Sequence, residues 1–462
     1  MGVEPFRLEW YTENSRVNIE GFIDQARTLG RHDSEGVFTI AREQAIRKLA
    51  SLQLPSSNSW ILKILQAAVR SGADRLVVET GRHITYMAFS PSELFQVDTL
   101  ASALTEPDLK LSDSFAHLAT GLRAVGFGDG RAFTVGFEEG RLCSLLGWNG
   151  ERLVKKQHEV EATSQSPMVR LGVAHPGLPE KKLSTEVVEE LKELRRGAEV
   201  CPIQVTIDKQ RVDDFSAELI DAGHGLGKRI VLSAGWQPWE KDSGLYPLSR
   251  PQQIVARSLR FGFQDRFTDN RTFHLEGRTE DTQVSSLAKI SYGFHVDSHR
   301  SSLGKFRFHN KPRHSYVHWV QDGVVVDRHR WQFEPAAVSF DLFLSAHGLK
   351  SDVSGLRIVR RPDVAHRIGR ALPFVVQQAE GTRRALLSHF PRPFMYHTTI
   401  AGFFTLLAFC SPPAALFKIL AGGVAATHLG LSVYDKRQLM KDALWHLDRL
   451  TENLQGRSSS KK

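Results

Sequence analysis

The sequence has 462 residues, of which 41% are hydrophobic and 24% are charged. This composition excludes global disorder, and the length predicts two or three domains, each with its own core. The net charge of +9 is modest for this length and is spread over several segments, so it specifies no compact nucleic-acid-binding motif. Three widely spaced cysteines form no CxxC pair, and residues 1–10 contain no apolar run, so we expect a cytoplasmic protein.

The first part of the chain is predicted to form helices followed by a hairpin. Apolar residues recur at helical spacing over 14–29 and again from Ala41 to Leu52. A third helix is predicted from Trp60 to Ser71, because a polar loop precedes it and a glycine follows it. Two short strands, Arg75–Glu79 and Ile84–Phe89, come next and are joined by a glycine turn.

The next elements alternate between helices and strands. A helix is predicted over Phe115–Ala124, and it leads into the glycine-rich segment 126–130. Strands follow at Ala132–Phe137 and Arg141–Trp148. After a polar interval the pattern continues with a charged helix and further strands, so a domain boundary is placed at about residue 165.

The predicted helix and hairpin around Lys63–Phe89 carry a family resemblance. Residues 63–76, Lys-Ile-Leu-Gln-Ala-Ala-Val-Arg-Ser-Gly-Ala-Asp-Arg-Leu, are similar to the first motif of GHKL ATPases, particularly the MutL and HtpG-type chaperone branch. In that family this helix carries a Glu that activates water and, one turn later, an Asn that holds magnesium. The resemblance covers about the first third of the chain and implies an ATPase-like framework.

The residues at the chemical positions of this motif differ from those of the family. We align the family motif with this sequence at the Gly-Ala turn, without gaps. In this alignment the family's Glu corresponds to Lys63, its Asn to Ala67 and a nearby acidic position to Arg70. A protonated lysine cannot act as a general base, and alanine offers no oxygen to magnesium. The resemblance therefore implies a degenerate domain with no catalytic residue and no metal site.

Two further family elements are incomplete. The Asp-x-Gly-x-Gly motif that follows the second strand is replaced by residues 88–93, where Glu93 is the only carboxylate. The glycine-rich segment lies where the family has its phosphate loop, so Gly126, Gly128 and Gly130 are the candidate cofactor-binding residues. The alternative is a helix C-cap and a turn, because these glycines follow a helix and precede a strand.

The predicted fold class is α+β, with three parts. Residues 1–165 are a degenerate GHKL-like α/β sandwich, and residues 166–385 form an α/β domain whose strand patterns resemble the S5-like domain of the same family. Residues 386–462 comprise a hydrophobic helical hairpin, an amphipathic helix and a polar tail.

The segment 398–433 is strongly apolar, and Lys418 is its only formally charged residue. Ser411-Pro412-Pro413 divides it into halves that are each unsuited to spanning a bilayer alone. Basic residues flank both ends, which predicts a hairpin inserted from the cytoplasmic side. The alternative is a hairpin buried against the other domains, or one that mediates self-association, for example in a homodimer.

Metal binding by histidines is a further hypothesis, and the sequence gives it little support. His314 and His318 are four residues apart, but the β-like pattern over Tyr316–Val320 argues against the helix that would bring them to one face.

The leading functional hypothesis is a non-hydrolysing chaperone-like or scaffold protein that binds a protein partner at the cytoplasmic face of a membrane. No cofactor is expected, although ATP binding without magnesium-dependent hydrolysis stays open. One alternative is an active HtpG-like ATPase in which Glu79 or Glu93 supplies the carboxylate, and another is a membrane-anchored nucleic-acid binder.

Overall fold

The computed structural model describes residues 42–106, 109–159, 167–175, 185–213, 227–248, 283–296, 308–331, 334–359, 361–388 and 441–455. The chain divides into two compact units, Met1–Ala45 and Ile46–Lys462. In the first unit only the start of one helix is described. Both β-sheets and all of the sites considered below belong to the second unit.

The described residues contain seven α-helices. They are α1 (Arg42–Gln53), α2 (Trp60–Arg70), α3 (Val97–Thr105), α4 (Asp113–Arg123), α5 (Thr185–Gly197), α6 (Pro362–Ser388) and α7, described over 441–455. A π-helical turn, Ala124–Gly128, continues α4 and ends it.

The first sheet has eight strands. In chain order they are β1 (Arg75–Thr80), β2 (Ile84–Phe89), β3 (Phe133–Glu139), β4 (Leu142–Trp148), β5 (Leu153–Glu159), β6 (Met168–Ala174), β7 (Gln204–Ile207) and β8 (Gln210–Arg211). Their order across the sheet is β5-β4-β3-β6-β2-β1-β7-β8. The pairs are antiparallel except for β1 and β7, which run parallel, as the helical connection through α5 allows.

The second sheet has six strands. They are β9 (Gly227–Pro238), β10 (Val284–Val296), β11 (Phe308–Asn310), β12 (Tyr316–Gln321), β13 (Val324–Arg330) and β14 (Val338–Ser345). The long strand β10 is central, with β9 on one side and both β14 and β11 on the other. The sheet continues from β14 through a parallel pairing to β12 and ends at β13.

One face of the first sheet is covered by helices. Leu76 and Val78 of β1 and Leu146 of β4 point to this face and are fully buried, whereas Glu79 and Tyr86 point to the other face and are exposed. Helix α2 lies in the middle of the helical layer, and nine of its 11 residues are buried. A helix that is apolar almost all round is one enclosed by its neighbours.

The elements predicted between Ala41 and Trp148 agree with observed ones to within a few residues, and the mixed α+β fold class is confirmed. The predicted helix over 14–29 lies outside the described residues. The helices α3 and α6 were not predicted. The first sheet extends past residue 165, where the sequence analysis places a domain boundary, because β6 pairs with β2 and β3 and because β7 pairs with β1. One hydrophobic core includes buried residues of both sheets. The division into three domains and the S5-like character of the second sheet stay predictions.

The predicted hairpin at 398–433 lies outside the described residues. Among the helices that are described, none combines the length and the apolar character needed to cross a bilayer. The predicted amphipathic helix near the C-terminus corresponds to α7, whose Ala443, Leu447 and Leu450 are buried while Trp445 is exposed.

Candidate functional site

The positions at which the family resemblance places its chemistry lie between α2 and α4. These two helices pack closely, and Gly121 of α4 is the residue that allows it. A Cβ atom at this glycine would lie 2.9 Å from Ile64 Cδ1 and 3.1 Å from the Trp60 carbonyl oxygen. Any larger residue would force the helices apart, so Gly121 serves helix packing.

Lys63 and Ala67 are both inside this packed layer. Ala67 is fully buried and belongs to the hydrophobic core. Lys63 is only 3% exposed, and its ammonium group donates a hydrogen bond of 2.9 Å to Gln66 Oε1. Gln66 in turn donates from Nε2 to the Gln321 carbonyl oxygen at the end of β12, at 3.3 Å. The space beside α2 is therefore occupied by the protein itself.

A polar cluster joins α2 and α4 to the second sheet at the other end of the helix pair. Asp322, in the turn between β12 and β13, accepts a hydrogen bond from His117 Nε2 at 3.2 Å and lies 3.6 Å from Arg70 Nε. Arg70 also forms an ion pair with Asp113 at the start of α4. The charge of Arg70 is thus balanced by two carboxylates of the same chain.

The pKa values of this cluster follow from its burial. Burial raises the pKa of Asp322, but the hydrogen bond with His117 and the charges of Arg70 and Lys63 outweigh it and hold the pKa below its ordinary value. Burial lowers the pKa of His117, against the opposing effect of Asp322. Near neutral pH the cluster therefore contains an ionised Asp322 beside a neutral His117.

Burial also lowers the pKa of Lys63 from its ordinary 10.5 to about 8, although Asp322 and Asp352 oppose the shift. At pH 7 the lysine is still mostly protonated and cannot act as a general base. Keeping it charged in the core costs about 3 kcal/mol, because one unit of pKa shift corresponds to about 1.4 kcal/mol.

This shift predicts a pH dependence of stability. Between pH 8 and 10.5 the unfolded chain binds more protons at residue 63 than the folded chain does, so the free energy of unfolding rises with pH in this window. We expect the free energy of unfolding of the wild type, measured with urea, to rise by about 3 kcal/mol more than that of Lys63→Met between pH 7 and pH 10.5. A pH-independent difference would contradict the buried position of the ammonium group.

The alternative carboxylates lie elsewhere. Glu79 is exposed on the open face of the first sheet, opposite the helical layer. Glu93 accepts a hydrogen bond from Ser114 Oγ in the first turn of α4. Neither is described in contact with Lys63 or Ala67, so the geometry offers no replacement general base on α2.

The predicted cofactor-binding glycines lie together in a surface groove of about 450 Å³. Gly126, Gly128 and Gly130 form one wall of the groove with the rest of the turn, and α1 forms another through Arg47, Lys48 and Ser51. The turn comes after the C-terminus of α4, as the helix C-cap alternative expects. Whether these glycines bind a cofactor stays a prediction.

The residues His314 and His318 of the metal hypothesis are not on a helix. His318 lies on β12, where its Nε2 is 3.0 Å from Asp341 Oδ1 and its ring stacks on Phe343. Arg313 donates two hydrogen bonds to the same carboxylate and holds its pKa well below the usual range despite burial. Within the described parts of the chain, no group of three potential ligands is arranged to hold a metal ion.

Sequence reasoning missed several residues of this region. Asp322 and His117 come together only through the tertiary fold, and Arg47 and Lys48 belong to a helix whose basic residues resemble those of any solvated surface. The positive φ of Asp322, 51°, marks a tight hairpin turn with the following glycine, and this is the one local feature that a sequence pattern could have indicated.

Comparison with known proteins assigns this chain to no family. No protein-family model matches the sequence, and no curated protein matches it at a significant level. Among solved structures, the B subunit of the DNA gyrase from Myxococcus xanthus is similar at a TM-score of 0.39 and 8% identity, covering 73% of this chain and 95% of that chain. A likeness of this size establishes no shared function, and we assign none from it.

Proposed function

We propose that this protein is a non-hydrolysing, GHKL-like scaffold that acts by binding a protein partner. The observation that carries the proposal is the burial of Lys63 and Ala67 in the packed contact between α2 and α4. Hydrolysis would need a carboxylate to activate water and oxygen ligands for magnesium. Helix α2 carries no carboxylate, and its one side-chain amide oxygen, Gln66 Oε1, accepts a hydrogen bond from Lys63.

The polar cluster at Asp322 supports the same proposal. In this chain a carboxylate from the second sheet already contacts Arg70 and His117 of the helical layer. The helical layer and the second sheet are held together by the chain's own charges, so their association needs no nucleotide. A framework that is joined without nucleotide suits a scaffold better than a nucleotide-driven cycle.

Attachment to the cytoplasmic face of a membrane is a further part of the proposal, and it is supported only by the apolar sequence 398–433 with its basic flanks. Under this proposal the described domains face the cytoplasm, where a protein partner would reach them.

Calorimetric titration with ATP, with and without magnesium, tests the scaffold proposal. Because α2 has no oxygen ligand at position 67, we expect magnesium to make no difference to the measured affinity. A binding isotherm that requires magnesium, and that Lys63→Ala or Arg70→Ala abolishes, would overturn the proposal.

A further inference from the structure

We call the face of the first sheet opposite the helical layer the open face. Residues that are paired across antiparallel strands point to the same face, so the register defines this surface. One row crosses the sheet from β5 to β1 and consists of Val154, Gly147, Thr134, Gly172, Tyr86 and Glu79. In the next row, Leu145 of β4 and Ala88 of β2 take the corresponding places. Tyr86 is 51% exposed, so the open face presents a large aromatic side chain to solvent beside several small residues.

Gly147, in the interior of β4, is not required by the contacts of its own chain. Among the described residues, the atoms nearest to a Cβ at this position would be the Phe133 carbonyl oxygen and Thr134 Oγ1, both at 3.8 Å, which is ordinary van der Waals contact. Its φ is not in the left-handed region either. Glycine weakens the interior of a strand, and there it often marks a place where another backbone approaches closely. The side chain missing at Gly147 therefore leaves a gap on the surface that another molecule can fill.

The other two glycines of the open face differ from Gly147. A Cβ at Gly136 would lie 2.9 Å from Leu145 Cδ2, and one at Gly172 would lie 2.9 Å from Ile84 Cδ1. The space beside these glycines is therefore already filled by apolar side chains of the same chain. Together with Tyr86, these side chains make the middle of the open face apolar, which is the composition of an interface core rather than of a solvated surface.

We propose that the open face binds the open face of a second copy of this chain, which forms a two-fold symmetric dimer. Two sheets pack face to face about 10 Å apart with their strands nearly aligned. The six strands from β5 to β1 have β3 and β6 in the middle. A two-fold axis that runs parallel to the strands between β3 and β6 places β4 over the partner's β2 and β5 over the partner's β1.

The two open faces are complementary in shape under this axis. Rotation about an axis parallel to the strands keeps each row at its own level, so Tyr86 lies opposite the partner's Gly147. In the next row Leu145 lies opposite the partner's Ala88. Each of these contacts is made twice, because the same surface is used by both copies. An aromatic side chain that enters a gap in the partner is the usual anchor of a protein interface.

The charges of the open face are complementary under the same axis. Lys156 of β5 and Glu79 of β1 are exposed at opposite sides of the face, and neither forms an ion pair with another residue that the structure describes. The rotation brings Lys156 diagonally across from the partner's Glu79, so the dimer gains two ion pairs at its rim. In the middle of the face, Arg170 is neutralised by Glu138 of its own chain at 2.7 Å. The centre of the interface therefore carries no unbalanced charge.

The area of the open face fits a dimer of moderate affinity. Six strands span about 24 Å and seven residues of a strand extend about 24 Å, so two such faces would bury about 1,200 Å² in total. This area lies at the lower end of the range of about 1,200–2,000 Å² for specific interfaces. The dimer is independent of the scaffold proposal, which concerns the helical layer on the other face. A monomeric chain without ATPase activity would contradict the dimer alone.

Sedimentation equilibrium of the full chain between about 1 and about 100 μM tests the proposal, and we expect a reversible equilibrium between monomer and dimer. Tyr86→Ala and Gly147→Val should each raise the Kd of the dimer at least about ten-fold, since each change is present twice in the interface. Gly147→Val should not lower the free energy of unfolding, because the added side chain has room and valine favours strands. Leu142→Ala, which shortens a side chain that is 42% exposed on the helix-covered face of β4, is the matched control and should leave the Kd unchanged.

A charge exchange tests the orientation of the two copies. Glu79→Lys and Lys156→Glu should each weaken the dimer about three-fold or more, and the combined variant should restore it, because the exchanged charges again attract across the interface. Neither single variant should change the free energy of unfolding of the monomer, since both residues are exposed. A chain that is monomeric over the whole range would overturn the proposal and leave the open face to a different protein. A dimer that Tyr86→Ala and Gly147→Val leave intact would also overturn it, since another surface would then hold the copies together.

Discussion

The double variant Lys63→Glu/Ala67→Asn, which restores the residues that the family resemblance expects, should unfold the protein and produce no ATPase activity. A glutamate at position 63 would be buried near Asp322 and Asp352, the carboxylates that now favour the lysine charge. An asparagine at the fully buried position 67 would add a polar group where the core has no room. Together these changes should lower the free energy of unfolding by about 5 kcal/mol or more, as measured by urea denaturation.

Lys156→Glu is the control for this variant, because it makes the same charge change at an exposed position of β5. It should alter the free energy of unfolding by less than about 0.5 kcal/mol. If the double variant instead folds as stably as the wild type, the space beside α2 is not filled in the way described.

The second large effect is expected at Glu190 of α5. Its carboxylate is 2% exposed, accepts a hydrogen bond of 2.8 Å from Trp60 Nε1 and forms a buried ion pair with Arg131. Glu190→Ala would leave the Arg131 guanidinium buried without a carboxylate and the Trp60 indole without an acceptor. We expect a loss of about 3–5 kcal/mol in the free energy of unfolding.

Glu193→Ala removes a glutamate from the same helix that makes no ion pair in the described residues, and it should cost less than about 1 kcal/mol. Glu190→Gln keeps an acceptor for Trp60 and should fall between the two variants. Equal losses for Glu190→Ala and Glu193→Ala would mean that the buried pair does not hold α2, α5 and the Gly126–Gly130 turn together.

Most strands of the first sheet, and the helices α2 and α4 that cover it, were predictable because their patterns are local, whereas α3 and β5 were not predicted. Helix α2 was expected over Trp60–Ser71 and is observed over Trp60–Arg70, since only Lys63 and Gln66 interrupt its apolar residues and Gly72, at a φ of 74°, ends it. The hairpin of β1 and β2 was found for the same reason. Element type and position follow from neighbours in sequence, which a single sequence contains.

The extent of the first sheet was less predictable. Strand β7 pairs in parallel with β1 across an intervening helix, and no local pattern shows which earlier strand it will join. The polar cluster was missed for the same physical reason. Asp322 contacts Arg70 and His117 only because the second sheet places a hairpin turn against α2 and α4.

The candidate site was predictable in part. Aligning the family motif with the sequence without gaps identified Lys63 and Ala67 as the positions to consider. Their burial between two helices is visible only in the structure. The sequence also pointed to Gly126, Gly128 and Gly130, which lie in one groove. The basic residues of that groove come from α1, far away in the chain, so they were not associated with the glycines.

Steady-state ATP hydrolysis by the purified full chain is the most direct test of the central claim. The account predicts no magnesium-dependent hydrolysis above the rate of a blank, and the same result for Lys63→Ala and Arg70→Ala, because α2 carries no carboxylate to act as a general base and has alanine at the magnesium position. Hydrolysis by the wild type that either substitution abolishes would contradict the claim.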